Sequence, residues 1–505
     1  MPQKLTVEIK PYDPSAPLLQ GVRTGVERTL RRALGNAEHR LLSVRLHPPE
    51  QKSARPARAS RFQATVVDYV GGRTLDLHGD VRDPKKIEVV ESARQPAVTH
   101  AEFEDAVEVL RLGAEFGKAL RDGKLQPYRP MPPHVPIDRP DGSRERHVTV
   151  GLLPTNGGKA KHEVVAVSLA QKRVVRFVDR APARSLAAAA VCGVAAAADQ
   201  MTADQGTPGT IRVRVRRGST LLWEFIAARP AASSGFWGSG IELRNVSYRG
   251  RSVLYQAHVP ILNVRYDGDK CGPYRDWQWQ EGMIHADGAD VAPGFRLCTT
   301  PAKTIFDTGS DIGDFLGVGV YVAGEDVVLV SELEAGWYRY ISEWRLRANG
   351  EIRPRFLFGA TSSSCVCNVH HHHVYWRFDF DVAQAKNVVD EFNDPALGGG
   401  SKWKRLAWET KRLRDATHKR RWRVGDGAGH WYEIVPGPHD HTAAGDAYGK
   451  GDFWAVRYRA NQIDDHPAAG TEAEIDRFVN RESIVDQDVV VWYGAHFEHD
   501  VRHHG

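Results

Sequence analysis

Apolar and polar residues alternate along QKLTVEIK (residues 3–10), which predicts a strand. Between 19 and 36 the period lengthens. Val22, Val26, Leu30 and Leu34 recur at every fourth position, one face of a helix. LLSVRLHP and RFQATVVDYV return to strand texture, Gly71 and Gly72 mark a turn, and another strand follows. These elements predict a small α+β domain over 1–92. A helix then opens at Thr99, with Glu102 completing a capping box and Phe103, Val107, Leu110 and Ala114 forming its apolar stripe. The Pro- and Arg-rich segment 124–145 predicts an extended surface arm. HVTVGLLP, KHEVVAVSLA and KRVVRFVDR predict strands, and the alanine-rich run within 183–198 predicts a buried helix. Together they form a second small α+β domain over 93–205.

From 206 to 505 the texture changes to long strand runs with few helical ones, among them GIELRNVSYRG, RSVLYQAHVPILNVRYD, WYRYISEWRLRANG, HHHHVYWRFDFDV and DVVVWYGAHFEH. Turns such as RGRS (249–252) and ANG (348–350) separate them. The fold class expected is α+β N-terminal domains followed by a large antiparallel β-sandwich.

Charge changes this picture little. Lys+Arg is 68 and Asp+Glu is 63 over 505 residues, so 68 − 63 = +5, too mild a surplus for a dedicated nucleic-acid binder. The most apolar run, 185–198, is too short to span a membrane. The opening MPQKLTVEIKPYD lacks the pattern of a signal peptide, and the expected location is cytoplasmic. The five cysteines, at 192, 271, 298, 365 and 367, are too sparse for a secreted disulfide scaffold. Cys365 and Cys367 read as buried or spare thiols, with a soft metal site as the alternative; Cys271 and Cys298 are the one conceivable pair.

The chemistry concentrates in His370, His371, His372 and His373. Residues i and i+2 of a strand share a face, so His370 with His372, or His371 with His373, can offer two imidazoles to one metal. A solvated histidine patch is the competing reading. His496 and His499 stand on a later strand run and can supply a third ligand. His439, His441, His466, His503 and His504 are further alternatives, better explained as surface residues. Three imidazoles with open positions suit Cu(II) or zinc, and redox chemistry selects copper.

Several of these stretches, in this order, resemble the copper- and quinone-dependent amine oxidases. HEVVAVSLAQKRVVRFVD resembles their second small domain, and GIELRNVSYRGRSVLYQAHVPILNVRYD resembles the opening of their catalytic sandwich. HHHHVYWRFDFDV resembles the strand bearing H-x-H, and counting back from Arg377 selects His370 and His372. IVDQDVVVWYGAHFEHD resembles the strand with the third copper ligand, and its register selects His499 over His496. In the family a chain tyrosine becomes topaquinone within an Asn-Tyr-Asp/Glu-Tyr context. The matching stretch AGWYRYISEW puts Tyr338 at the modified position and Tyr340 after it, with Trp337 and Arg339 replacing the flanking asparagine and acid around the cofactor. An aspartate is the family's catalytic base; Glu281 is the nearest acid to its register and Asp276 is another.

The resemblance implies a homodimer that oxidises a small-molecule primary amine with O2 through Cu(II) and a Tyr338-derived topaquinone, with no nucleic-acid or membrane partner. A second reading is a mononuclear copper oxidase or oxygenase with an unmodified tyrosine, acting on a biosynthetic intermediate. An arginine at the cavity would then favour an acidic substrate. A third is a non-catalytic structural homologue.

Overall fold

The structure is a computed structural model and describes residues 4–12, 16–47, 52, 61–92, 95–130, 134–138, 140, 144–155, 163–175, 192–197, 202–266, 271–363, 365–443, 447–465 and 472–499. The first helix runs Ala16–Leu34 and lays Val22, Val26 and Leu30 on a four-stranded antiparallel sheet. That sheet comprises His39–His47, Arg61–Asp68, Arg73–Asp80 and Ile87–Ser92. The expected opening strand exists as Leu5–Pro11 but does not join this unit. Val7 and Ile9 stand opposite Val215 and Val213, so the strand forms an edge of the large sheet instead.

The second helix is His100–Leu112, and its capping box forms as the sequence predicts. Thr99 Oγ1 accepts from the Glu102 amide at 3.2 Å, and Glu102 accepts from the Thr99 amide at 3.0 Å. Ala114 lies beyond the helix end. The segment 124–145 is not an extended arm. Leu125–Tyr128 and His134–Asp138 are short strands that both pair with Arg144–Pro154, because backbone beside that long strand finds partners there. The helix expected over 183–198 falls mostly outside the described residues. Its described part, 192–197, makes β-bridges from Cys192 to Ser363 and from Val194 to Thr361, so no helix continues there.

The sandwich region holds two large sheets. The ten-stranded one runs through Arg251–Tyr266, His370–Phe380 (the histidine strand) and Val489–His499 (the closing strand), all antiparallel. The six-stranded one contains Asp326–Ala335, Tyr338–Arg347 (the tyrosine strand) and Ile352–Ala360. One of its pairings, Phe295–Leu297 with Val318–Ala323, is parallel, a departure from the all-antiparallel expectation. A single apolar cluster joins inward residues of both sheets, including Trp223, Leu262, Leu329, Trp344 and Val491.

Two disulfides overturn the reading of spare thiols. Cys192 bonds Cys367, and Cys271 bonds Cys365. Cys298 stays free and buried, so it does not pair with Cys271. Both bonds fasten the turn that leads into His370, and neither sulfur of the CVC turn is available to a metal. Among the described residues, no helix is long and apolar enough to cross a membrane.

The N-terminal part is tied to the ten-stranded sheet by one charge cluster. The Lys52 ammonium donates to Asp379, to Asp381 at 2.9 Å and to Asp488 at 2.6 Å, and lies over the Tyr458 ring. Burial opposes the ammonium, but the three carboxylates outweigh it and hold Lys52 above its ordinary value. Burial pushes Asp379 up to about 7. The folded chain therefore keeps a proton there that the unfolded chain releases, a contribution present at low pH and lost as pH rises through about 7. Lys52→Met should cost about 3 kcal/mol at pH 8, the scale for leaving buried carboxylates without their partner. The deficit should shrink at pH 5 as Asp379 takes a proton, and urea unfolding at the two pH values measures it.

Candidate metal centre

Strand periodicity places the site between the sheets. His370 and His372 point from the histidine strand toward the tyrosine strand, and His499 stands directly opposite His370 on the closing strand. The His370 and His499 rings lie 4.5 Å apart, His370 and His372 5.0 Å, and His372 and His499 6.5 Å, all buried. Phe358 stacks on His372 at 4.0 Å and meets His499 edge-on. Tyr338 and Tyr340 face the same space from the opposing sheet.

The hydrogen bonds have fixed directions. The Asn368 carbonyl can only accept, so His370 Nδ1 donates to it at 2.6 Å and His370 Nε2 carries the lone pair. The Tyr338 hydroxyl donates to that Nε2, and His499 Nδ1 approaches the same atom at 2.9 Å. Tyr338 in turn accepts from Tyr266 at 3.1 Å, and Tyr266 accepts from Trp337 Nε1 at 2.9 Å. Tyr266 also stacks on His370 at 4.7 Å.

A second chain runs alongside. Tyr340 donates to Asp276 Oδ2 at 2.5 Å, so its oxygen accepts from His372 Nδ1 at 3.2 Å. His372 Nε2 is then a bare lone pair, buried and without a hydrogen-bond partner among the described residues. Burial pushes His370 down to about 4; burial, reinforced by the neighbouring imidazoles, pushes His372 well below its ordinary value. Both stay neutral, the state a metal requires. Burial raises the Tyr338 and Tyr340 phenols, so both keep their protons.

The two candidate bases separate cleanly. Asp276 is fully buried and bonded to Tyr340, and burial pushes it up to about 7. Its Oδ1 has no hydrogen-bond partner among the described residues. Glu281 is equally buried but is held by the Arg229 guanidinium and the Ala231 amide, so both its oxygens are already bonded. The structure thus brings Tyr338, Tyr340, Asp276, His370, His372 and His499 together and leaves Glu281 in an ion pair. Arg339 does not line the site. It lies on the other face of the tyrosine strand, bonded to Asp311 at 2.7 and 3.0 Å, which removes the reason to expect an acidic substrate. Trp337 contributes its indole N–H to the Tyr266–Tyr338 chain.

Sequence reasoning passed over Tyr266 and Phe358. Both stand on strands directly opposite site residues, Tyr266 against His370 and Phe358 against Tyr340. Period-two alternation within ILNVRYD and RPRFLFGA was the available signal.

No family model matches the chain, and no curated protein matches it in sequence. Solved structures do match in fold. A copper-containing benzylamine oxidase from Hansenula polymorpha superposes over 97% of this chain and 94% of its own, with TM-score 0.58 and 13% identity. A lysyl oxidase from Pichia pastoris covers 96% of this chain and 86% of its own, with TM-score 0.55 and 10% identity. The chain has an amine-oxidase-like, β-rich fold.

Tyr340 supplies the one hydrogen bond that favours ionised Asp276. The folded chain keeps a proton on Asp276 that the unfolded chain releases, so this carboxyl costs stability as pH rises through about 7. In pH-difference infrared spectra the carboxyl signal titrating near pH 7, to which Asp379 also contributes, should lose one component in D276N, and that component should move to higher pH in Tyr340→Phe.

Proposed function

We propose that this chain is a copper-dependent oxidoreductase that oxidises a primary amine with O2, with Tyr338 as precursor of a topaquinone. The observation that carries the metal assignment is the buried, unpartnered Nε2 of His372 beside the Nε2 lone pair of His370. A Lewis acid would satisfy His372 Nε2 and replace the Tyr338 proton on His370 Nε2, with His499 Nδ1 as third ligand, and three imidazoles suit Cu(II). The donor types suit the ion, and the holders would be His370, His372 and His499 once the His372 and His499 rings, 6.5 Å apart in the metal-free chain, draw together.

Copper and the quinone, when present, supply the electron-transfer chemistry: the amine is oxidised by two electrons, O2 is reduced to peroxide, and water provides the aldehyde oxygen as ammonia leaves. The chain's own residues bind and move protons. Asp276 Oδ1 takes the proton from the substrate carbon, and a carboxyl near 7 is matched to that work at neutral pH. Tyr340 holds Asp276 through Oδ2 and so aims the free oxygen. Tyr266 donates to the Tyr338 oxygen and fixes its ring, while the bond from Tyr338 to His370 Nε2 belongs to the metal-free chain and gives way when an ion takes that lone pair. Phe358 and Trp337 pack around this polar group and exclude water.

A second reading, a mononuclear copper oxidase or oxygenase, has one observation in its favour. In the metal-free chain the Tyr338 hydroxyl is held by one accepted and one donated bond, as expected of a permanent phenol. The substrate class stays a small molecule in both readings, and the family resemblance of the sequence implies a homodimer. The two disulfides favour folding in an oxidising compartment over the cytoplasm.

The mass of the proteolytic peptide bearing Tyr338, taken from copper-loaded protein, separates the readings. Topaquinone adds two oxygens and removes two hydrogens, and an unchanged mass excludes the quinone. In the quinone case D276N should lower kcat by about 10²–10⁴ while copper content holds, as expected for loss of a general base.

A further inference from the structure

The histidine run has a second face. His371 and His373 alternate with His370 and His372, so their side chains lie on the reverse side of the ten-stranded sheet. The closing strand does the same: His496 stands directly opposite His373, three residues before His499. The two Nδ1 atoms meet at 2.8 Å, both rings buried. The front pair has the same character, with His499 Nδ1 and His370 Nε2 at 2.9 Å.

The surroundings orient this reverse pair. His496 Nε2 lies 3.1 Å from the Gly451 carbonyl and 3.1 Å from Asp452 Oδ1, both acceptors. The ring therefore carries its proton on Nε2 and turns the Nδ1 lone pair toward His373. Asp452 is fully buried and fixed by the Arg414 amide at 2.6 Å and the Ala443 amide at 2.7 Å. A carboxylate on the far nitrogen of an imidazole is the arrangement that orients metal-ligating histidines and strengthens them as donors. The backbone closes tightly on both rings. A Cβ at Gly449 would come within 2.6 Å of the His373 ring, and one at Gly494 within 3.1 Å of His496 Nε2. Half-buried His371, its ring parallel to His373 at 6.4 Å, continues the row toward solvent.

The geometry points to a second metal site: His373 Nδ1 and His496 Nδ1 bind one borderline transition-metal ion, Cu(II) or Zn(II), on the reverse face of the sheet. Two nitrogens at about 2.0 Å from an ion in adjacent positions of a tetragonal site stand about 2.8 Å apart, the spacing seen here. Binding needs both Nδ1 lone pairs, so the proton that the metal-free pair shares between its Nδ1 atoms passes to His373 Nε2 and both rings ligate as neutral imidazoles. Asp452 orients His496 and is a positioning residue. The site does not depend on the front centre being a copper site.

The test loads the whole chain with Cu(II), and in parallel with Zn(II), removes loosely bound ion and counts ions per chain by mass spectrometry. H496Q should lose one ion relative to the unaltered chain, and H370Q should keep that ion. Anomalous diffraction from the unaltered chain should show a peak between His373 and His496. Asp452→Asn retains both imidazoles and should weaken this ion alone, by about 10–100-fold in competition with a chelator. The inference falls if H496Q binds as many ions as the unaltered chain, or if H496Q fails to fold and D452N competes unchanged. If H370Q loses no ion while H496Q loses one, the front assignment fails and the reverse site stands.

Discussion

The register of the histidine strand against the closing strand is the constraint on which the site depends. His370 faces His499, and the next pairs follow without a shift through Phe378 and Val491. Because side chains alternate, a slip of one residue would carry His499 to the other face and put Glu498 beside His370. The pairing lies in the core on both faces, with Val491, Trp492 and Tyr493 all buried on the closing strand. The start of the histidine strand is pinned separately by the disulfides at Cys365 and Cys367, one reaching Cys192 and the other Cys271.

A sandwich interior normally excludes groups like these, because an unbonded buried polar group costs free energy. Here the cost is offset by directed chains. One passes from Trp337 through Tyr266 and Tyr338 to His370 and ends on a backbone carbonyl. The other passes from His372 through Tyr340 to Asp276. Both are consistent from donor to acceptor along their length, and the polarity left over falls on two atoms, His372 Nε2 and Asp276 Oδ1. Those atoms have the chemistry of a ligand and of a base. Stability and function thus meet at the same two atoms.

The strand pattern limited the proposed metal ligands to His370/His372 or His371/His373, one pair on each face, and the family resemblance chose between them. Parity also places Arg339 opposite Tyr338 and Tyr340, so its absence from the site was readable in the same way. Asp276 and Glu281 were not separable. They lie in DWQWQEG, where the backbone makes only short bridges and no period assigns a face. The cysteine pairs join residues 175 and 94 positions apart, and no local pattern encodes such closures. The opening strand showed its alternation clearly, yet its partner lies beyond both small units, at Thr210–Arg217, and alternation does not name a partner.

Trp337 and Arg339, which depart from the flanks expected of an amine oxidase, have separate consequences. Arg339 is spent on Asp311 and leaves the Tyr338 environment unchanged on the site face. Trp337 acts through Tyr266: its indole N–H occupies the Tyr266 oxygen, which directs the Tyr266 proton onto Tyr338 and the Tyr338 proton onto His370. A phenol that both accepts and donates is held in one orientation, and turning its ring away forfeits two buried bonds, each costly to leave unmade. Any oxidation of Tyr338 therefore begins with its oxygen directed at His370. In the metal-free chain an unoxidised tyrosine keeps that orientation and remains a fixed proton donor to the imidazole.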